Sequence, residues 1–231
     1  TTATKMTMIG SIGAYADSMW AAIIDPQTGS YVGSPARIVA GSFKITTTIP
    51  SPTVYVLMVG NPQEQATLKY YNCFLTNEPT SVQVADNQKD LIISTGANAM
   101  AFQALLNQMG GEFDQLNQLT KMKESAGTFG YSADSIAKAR EQVLAQLQQK
   151  IPAYLKQHGN SIVAPFLLIV VWPMNFPLAT LETWINMIPA AAMENQYGAS
   201  LAEMVKVEKM LGYGQLAPVF TQNNPEGKPV S

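Results

Sequence analysis

Residues 4–95 read as strands, and where apolar and polar residues alternate the period of two is that of half-buried strands. Strands are expected over 5–12, 18–24, 31–39, 42–48, 53–59, 65–75, 81–85 and 91–94, with 53–59 a near-continuous apolar run. Asp25-Pro26-Gln27-Thr28-Gly29, Gly60-Asn61-Pro62 and Asn77-Glu78-Pro79 read as turns, and Ala40-Gly41 as a tight hairpin. Within 65–75, Leu68, Tyr70, Asn72 and Phe74 share one face, and Lys69, Tyr71, Cys73 and Leu75 the other. Short strands with regular turn signals predict an antiparallel sandwich or barrel.

At Gly96 the period changes to that of a helix. A helix over 98–119 would bury Met100, Leu105, Met109, Phe113 and Leu116, with Phe102, Leu106 and Leu119 beside them. Gly110-Gly111 predicts a kink or a break in it. Ser132 is the N-cap of a second helix, with Asp134 in its first turn and Ile136, Val143, Leu147, Ile151 and Tyr154 as its buried stripe. Pro152 should bend that helix, and His158-Gly159-Asn160 should end it. Residues 162–171 carry no charge on any face, which places them at a bundle centre as the most buried helix. Pro177 and Pro189 bound a helix over 178–187, and 199–211 forms the last. The fold class is therefore α+β: an antiparallel β domain over 1–96, then an α-helical bundle domain over 97–213, divided near Gly96.

Composition narrows the chemistry. The chain is 47% hydrophobic and 13% charged, with a net charge of −2, and it has no basic stripe for nucleic acid and no polybasic run for an anionic membrane. The longest apolar run is too short for a transmembrane helix. One cysteine, Cys73, permits no internal disulfide, and one histidine, His158, excludes His-pair zinc motifs. Low charge with abundant Gln, Asn, Ser and Thr suggests an exported protein, and a start on Thr1-Thr2-Ala3 suggests a removed leader.

Residues 214–231 carry the one specific motif. Gly214, Ala217, Pro218, Phe220 and Thr221 give Gly-x-x-Ala-Pro-x-Phe-Thr, and Pro225, Gly227, Lys228 and Ser231 follow at fixed spacing. This resembles the lead-in to a thioredoxin-like domain of the TlpA/AhpC-TSA type, in which Ala-Pro-x-Phe opens the first strand and Pro-x-Gly-Lys turns the first hairpin. Val219 departs from the usual Asp. The order of strands, helices and lead-in is similar to that of the periplasmic oxidoreductases of Bacteroidetes, in which a β-domain of unknown function and a helical segment precede thioredoxin. Further echoes are Ile9-Gly10-Ser11-Ile12-Gly13, Gly41-Ser42-Phe43-Lys44-Ile45, Ser94-Thr95-Gly96 and Tyr197-Gly198-x-x-Leu201.

The resemblance implies a non-catalytic accessory region of a redox enzyme, a thiol-disulfide oxidoreductase whose Cys-x-x-Cys domain lies beyond Ser231. Its partners would be that downstream domain, protein thiol or disulfide substrates, and a second copy in a homodimer. Its location would be the periplasm, or the periplasmic side of the outer membrane through a lipoprotein anchor. The competing reading is a stand-alone binding or adhesion module, a β-sandwich with a helical cap that recognises a peptide or glycan.

No residue of the chain is assigned a catalytic, cofactor-binding or metal-binding role. Cys73, mid-strand and without a partner Cys, reads as structural. His158 reads as a surface residue at the negative end of a helix dipole. Glu112 and Asp114 are two apart on a helix and do not face each other, and Glu203 and Glu208 interleave with Lys206 and Lys209 as a solvated face. Gly10-x-x-Gly13 lacks the following helix and third glycine of a phosphate loop. The twelve methionines are scattered and read as core filling.

Overall fold

Eight strands come first among the described residues. They are β1 (Met6–Ile12), β2 (Trp20–Ile24), β3 (Ala36–Arg37), β4 (Ser42–Thr47), β5 (Thr53–Gly60), β6 (Lys69–Leu75), β7 (Thr80–Val84) and β8 (Leu91–Thr95). Six α-helices follow among the described residues: α1 (Ala97–Glu124), α2 (Ala133–His158), α3 (Val163–Val171), α4 (Leu178–Ile185), α5 (Ala190–Met193) and α6 (Gln196–Leu211). A short pair, β9 (Gln222–Asn223) and β10 (Pro229–Val230), closes the order. The computed structural model describes residues 5–13, 19–85, 89–125, 132–211, 222–223 and 228–230. The α+β class is the one expected from the hydrophobic pattern.

The change from strand to helix falls at Gly96, whereas the two compact units are Thr1–Lys150 and Ile151–Ser231. α1 belongs with the sheets because it packs on β6 and β8, where Phe102 meets Phe74 at a ring-centroid distance of 6.0 Å.

In the first unit, one sheet has the order β4-β1-β7-β8 and the other β3-β2-β5-β6. All pairings are antiparallel except β1 with β7, which is parallel and corrects the wholly antiparallel expectation. The chain passes from β3 to β4 through a tight turn at Ala40-Gly41, both at positive φ. Between the sheets lies a core that includes Met6, Met8, Ile23, Ile45, Leu57, Cys73 and Leu75. Gly10 faces Phe43 across the β1–β4 ladder, and a Cβ there would stand 2.0 Å from the ring carbons. The glycine thus serves the packing of an aromatic ring, and two sequence echoes prove to be one contact.

Two strand expectations need correction. Residues 31–39 form only β3 and two isolated bridges, since Gly33-Ser34-Pro35 interrupts them and proline cannot donate to a ladder. Residues 65–67 form a 3-10 turn, because Thr67 Oγ1 donates to the Glu64 carbonyl at 2.7 Å and accepts from the Asn61 amide at 3.0 Å. Such local side-chain bonds compete with a ladder.

α1 runs unbroken through Gly110-Gly111, against the expected kink or break. Lys150 on α2 spans the glycines: its Nζ donates to the Gln108 carbonyl at 2.9 Å and to Glu112 Oε1 at 2.6 Å. Buried Met109 anchors the same turn. The buried face of α1 is Ala99, Ala101, Phe102, Leu105, Met109 and Leu116, whereas Met100 of the expected stripe and Leu106 beside it are exposed. Docking through Phe102 onto β6 turns those two outward.

The first turn of α1 has no local cap. Instead the Ala97 and Asn98 amides donate to the Glu78 carboxylate at 3.2 and 3.0 Å. An anion at this end also complements the helix dipole. Next to it, the Asn77 side-chain amide accepts from the Ile49 N–H at 2.7 Å and donates to its carbonyl at 3.1 Å. One turn therefore ties β6, β7, the β4–β5 connection and α1.

In the second unit α3 packs against α4, α5 and α6. Val163, Ala164, Leu167, Leu168 and Val171 are fully buried, while Val170 on the remaining face is exposed. The Asn195 side-chain oxygen caps α6, accepting from the Tyr197 and Gly198 amides at 2.9 and 3.3 Å. Gly198 lets the Met193 carbonyl approach so closely that a Cβ would stand 2.0 Å from it. Tyr197 meets Phe166 edge-on at 5.3 Å, and Leu201 is fully buried. The α2 stripe is as expected: Ile136, Val143, Leu147, Ile151 and Tyr154 are all buried. α5 was not foreseen; Pro189 serves as its N-cap. Among the described residues no helix is long and apolar enough to cross a membrane.

Two outcomes follow from this packing. Glu78→Ala should destabilise the first unit by about 1 kcal/mol, the usual worth of a cap, read as a shift of the urea midpoint. Leu168→Ala should cost about 2–5 kcal/mol in the second unit by the same measurement, the range for emptying a buried leucine site.

Candidate functional site

Cys73 lies on the inward face of β6 with no exposed surface. Its Sγ is 3.7 Å from the Tyr55 carbonyl, to which it donates. Burial pushes the thiol up from the ordinary 9.0 to about 12, and a hydrogen bond with the Leu57 backbone offsets only part of this. A thiolate is the attacking species in disulfide exchange, and burial disfavours that form of Cys73 at neutral pH.

Three other side chains weighed from sequence, His158, Glu112 and Glu203, have defined neighbours. His158 sits in the last turn of α2, half-buried, with its ring 4.9 Å from that of Tyr154. The Tyr154 phenol is raised above its ordinary range by burial. Glu112 is held by Lys150, Glu203 by Lys206 at 3.3 Å, and Glu182 by Lys209 at 2.6 Å. Among the described residues no group of three or more His, Cys, Asp or Glu could hold a metal ion.

What the first unit does offer is a groove. A hollow of about 480 Å³ lies between the end strands β6 and β8 and is walled by α1. Tyr70 and Asn72 enter it from the outward face of β6, Lys89 and Asp90 from the approach to β8, Ile92 from β8, and Leu106 and Asn107 from α1. Tyr70 is 59% exposed, Ile92 47% and Leu106 39%. Three large apolar side chains at one hollow, with neutral amides and one charge of each sign, make a surface suited to binding.

Gln103 crosses the inner wall of this groove. The Ile93 N–H donates to Gln103 Oε1 at 3.0 Å, and Gln103 Nε2 donates to the Leu91 carbonyl. The side-chain amide thus occupies backbone groups that an end strand leaves without a neighbour. Sequence reasoning did not single out Gln103, Tyr70 or Asn72. The alternation in β6 placed Tyr70 and Asn72 on one face; that Phe74 on the same face is covered by Phe102 while they are not depends on where α1 docks.

Of the lead-in, residues 212–221, 224–227 and 231 lie outside the described residues. The remainder forms an antiparallel pair, with Asn223 opposite Pro229 and Gln222 opposite Val230.

Comparison with known families finds a match to a domain of unknown function (DUF4369) over residues 7–102. The match begins in β1 and ends at Phe102, so it takes in both sheets and the start of α1. A domain of unknown function over the β part is what the sequence led one to expect. No curated protein matches the chain.

The thiol yields a pH test. Its pKa is raised on folding, so its contribution to stability is fully present below the unfolded value near 9 and is lost as pH rises toward about 12. The difference in stability between wild type and Cys73→Ala should be flat up to pH 8 and shift against wild type above pH 9, measured by denaturant titration. Native Cys73 should also resist iodoacetamide at pH 8 and react once the chain is unfolded.

Proposed function

We propose that the chain is a non-catalytic accessory region of an exported, periplasmic thiol-disulfide oxidoreductase of the thioredoxin-like TlpA/AhpC-TSA type. One observation carries the reading: the chain's single thiol is sealed inside the sandwich, so any exchange chemistry must come from elsewhere. Three more support it. The lead-in motif at Gly214–Ser231 has the family spacing, residues 222–223 and 229–230 within it pair antiparallel, and the β part is similar to a domain of unknown function. In this role the sheets and helices position the redox domain, its substrate or a dimer partner. The groove favours a second reading, a binding module for a peptide or glycan, in which no redox domain is needed.

An insulin-reduction assay with dithiothreitol separates the two. It compares the 231-residue chain, its Cys73→Ser variant and the product of the whole coding sequence. The accessory reading expects background rates from the first two and turnover from the third, with a Trp-Cys-x-x-Cys downstream of Ser231. Turnover by the 231-residue chain that disappears in Cys73→Ser would overturn it. Background rates from all three would favour the binding module.

A further inference from the structure

We propose that the groove takes an extended polypeptide segment, which pairs through its backbone with the β8 edge in the place that Gln103 occupies. The inference deepens the binding role given above and rests on the groove alone, not on redox chemistry elsewhere.

Among the described strands β8 ends its sheet, with β7 as its neighbour. The outward N–H and C=O groups of an end strand are a template for another chain. Here the template is already in use. Gln103 contributes a carboxamide, chemically a peptide unit on a flexible stem. It accepts from Ile93 N–H and donates to the Leu91 carbonyl. One amide that bonds to residues on either side of Ile92 reproduces what a residue of a parallel strand does when it stands opposite Ile92. The side chain thus acts as a one-residue stand-in for a strand, and it shows that both backbone groups can be reached from the groove.

Exchange of the stand-in for a real strand is nearly balanced in hydrogen bonds. A segment that displaces Gln103 supplies the same donor and acceptor, and the freed amide returns to water. The surplus comes from side chains. Tyr70, Ile92 and Leu106 are exposed around the hollow and would bury apolar surface against alternate residues of the segment. Lys89 and Asp90 bring one charge of each sign, which favours a neutral segment over a basic or acidic one. A sugar could use Tyr70 and the amides, but it would make no use of a strand edge that presents alternating donor and acceptor.

The probe is a fluorescein-labelled, capped hexapeptide of alternating Val and Thr, titrated against the 231-residue chain by fluorescence anisotropy. Its partner is the same peptide with alternate amides N-methylated. Binding of the first and none of the second is expected for wild type. Gln103→Ala, which vacates the edge, should bind about tenfold tighter, the equivalent of one or two net hydrogen bonds. Leu106→Asp should bind about tenfold more weakly. A nitroxide at the peptide N-terminus should broaden amide signals near Leu91 more than those near Thr95, as a parallel register requires. Equal binding of the N-methylated peptide would overturn strand pairing while leaving a binding groove. Absence of binding to both wild type and folded Gln103→Ala would overturn the proposal outright. Neither result bears on the insulin assay, so the two readings fail separately.

Discussion

The open edges of β6 and β8 are the constraint from which the first unit follows. A sheet that stops exposes backbone donors and acceptors, and two sheets stop on the side where α1 lies. On the opposite side the tight β3–β4 turn links the sheets directly. On this side no strand among the described residues bridges the sheets, and a helix covers the gap. It is fixed there by an aromatic contact, Phe102 on Phe74, and by two polar devices: Glu78 holds its first amides and Gln103 bonds to β8. Remove the helix, and Phe74 together with a strand edge would face water.

The same closure keeps the one thiol away from solvent. β6 carries Cys73 inward between the sheets and Tyr70 and Asn72 outward to the groove, on alternate residues of one strand. Period-two geometry separates them, so a residue built into the core cannot serve the surface. The strand therefore contributes packing through one face and lines the groove with the other. The single cysteine is spent on the first.

How much of this could be read from the sequence depends on whether the signal was local. The alternation in β1, β4 and β7 and the stripe of α2 report burial directly, because each element faces one core and its period survives intact. Tyr197-Gly198-x-x-Leu201 was visible as a motif, and its cause is local too: a carbonyl five residues back against Gly198. Long-range choices were not visible. Nothing in β1 states that β7 will lie parallel to it. Gln103 on a helix looks like any solvated glutamine until β8 is placed beside it. Glu78 caps a helix that starts nineteen residues later, outside the window in which caps are sought. The stripe of α1 was legible only in part: Leu105, Met109 and Leu116 are buried as expected, but Phe102 commits the helix to β6 and leaves Met100 exposed.

An edge can be closed permanently or provisionally, and the chemistry of the closing group decides which. Apolar packing, as at Phe102, cannot be undone without exposing a core. A carboxamide on a flexible stem gives up two hydrogen bonds that water or another peptide replaces at little net cost. α1 uses the first at its docking face and the second at the groove, one residue further along the helix. Had the edge at Ile93 been meant only to be hidden, a leucine at 103 would have buried it and left the backbone groups unpaired, at a cost in desolvation. Glutamine satisfies those groups yet leaves them exchangeable. That choice marks the β8 edge, among the surfaces of the first unit, as the place where a second chain can enter the fold without dismantling it.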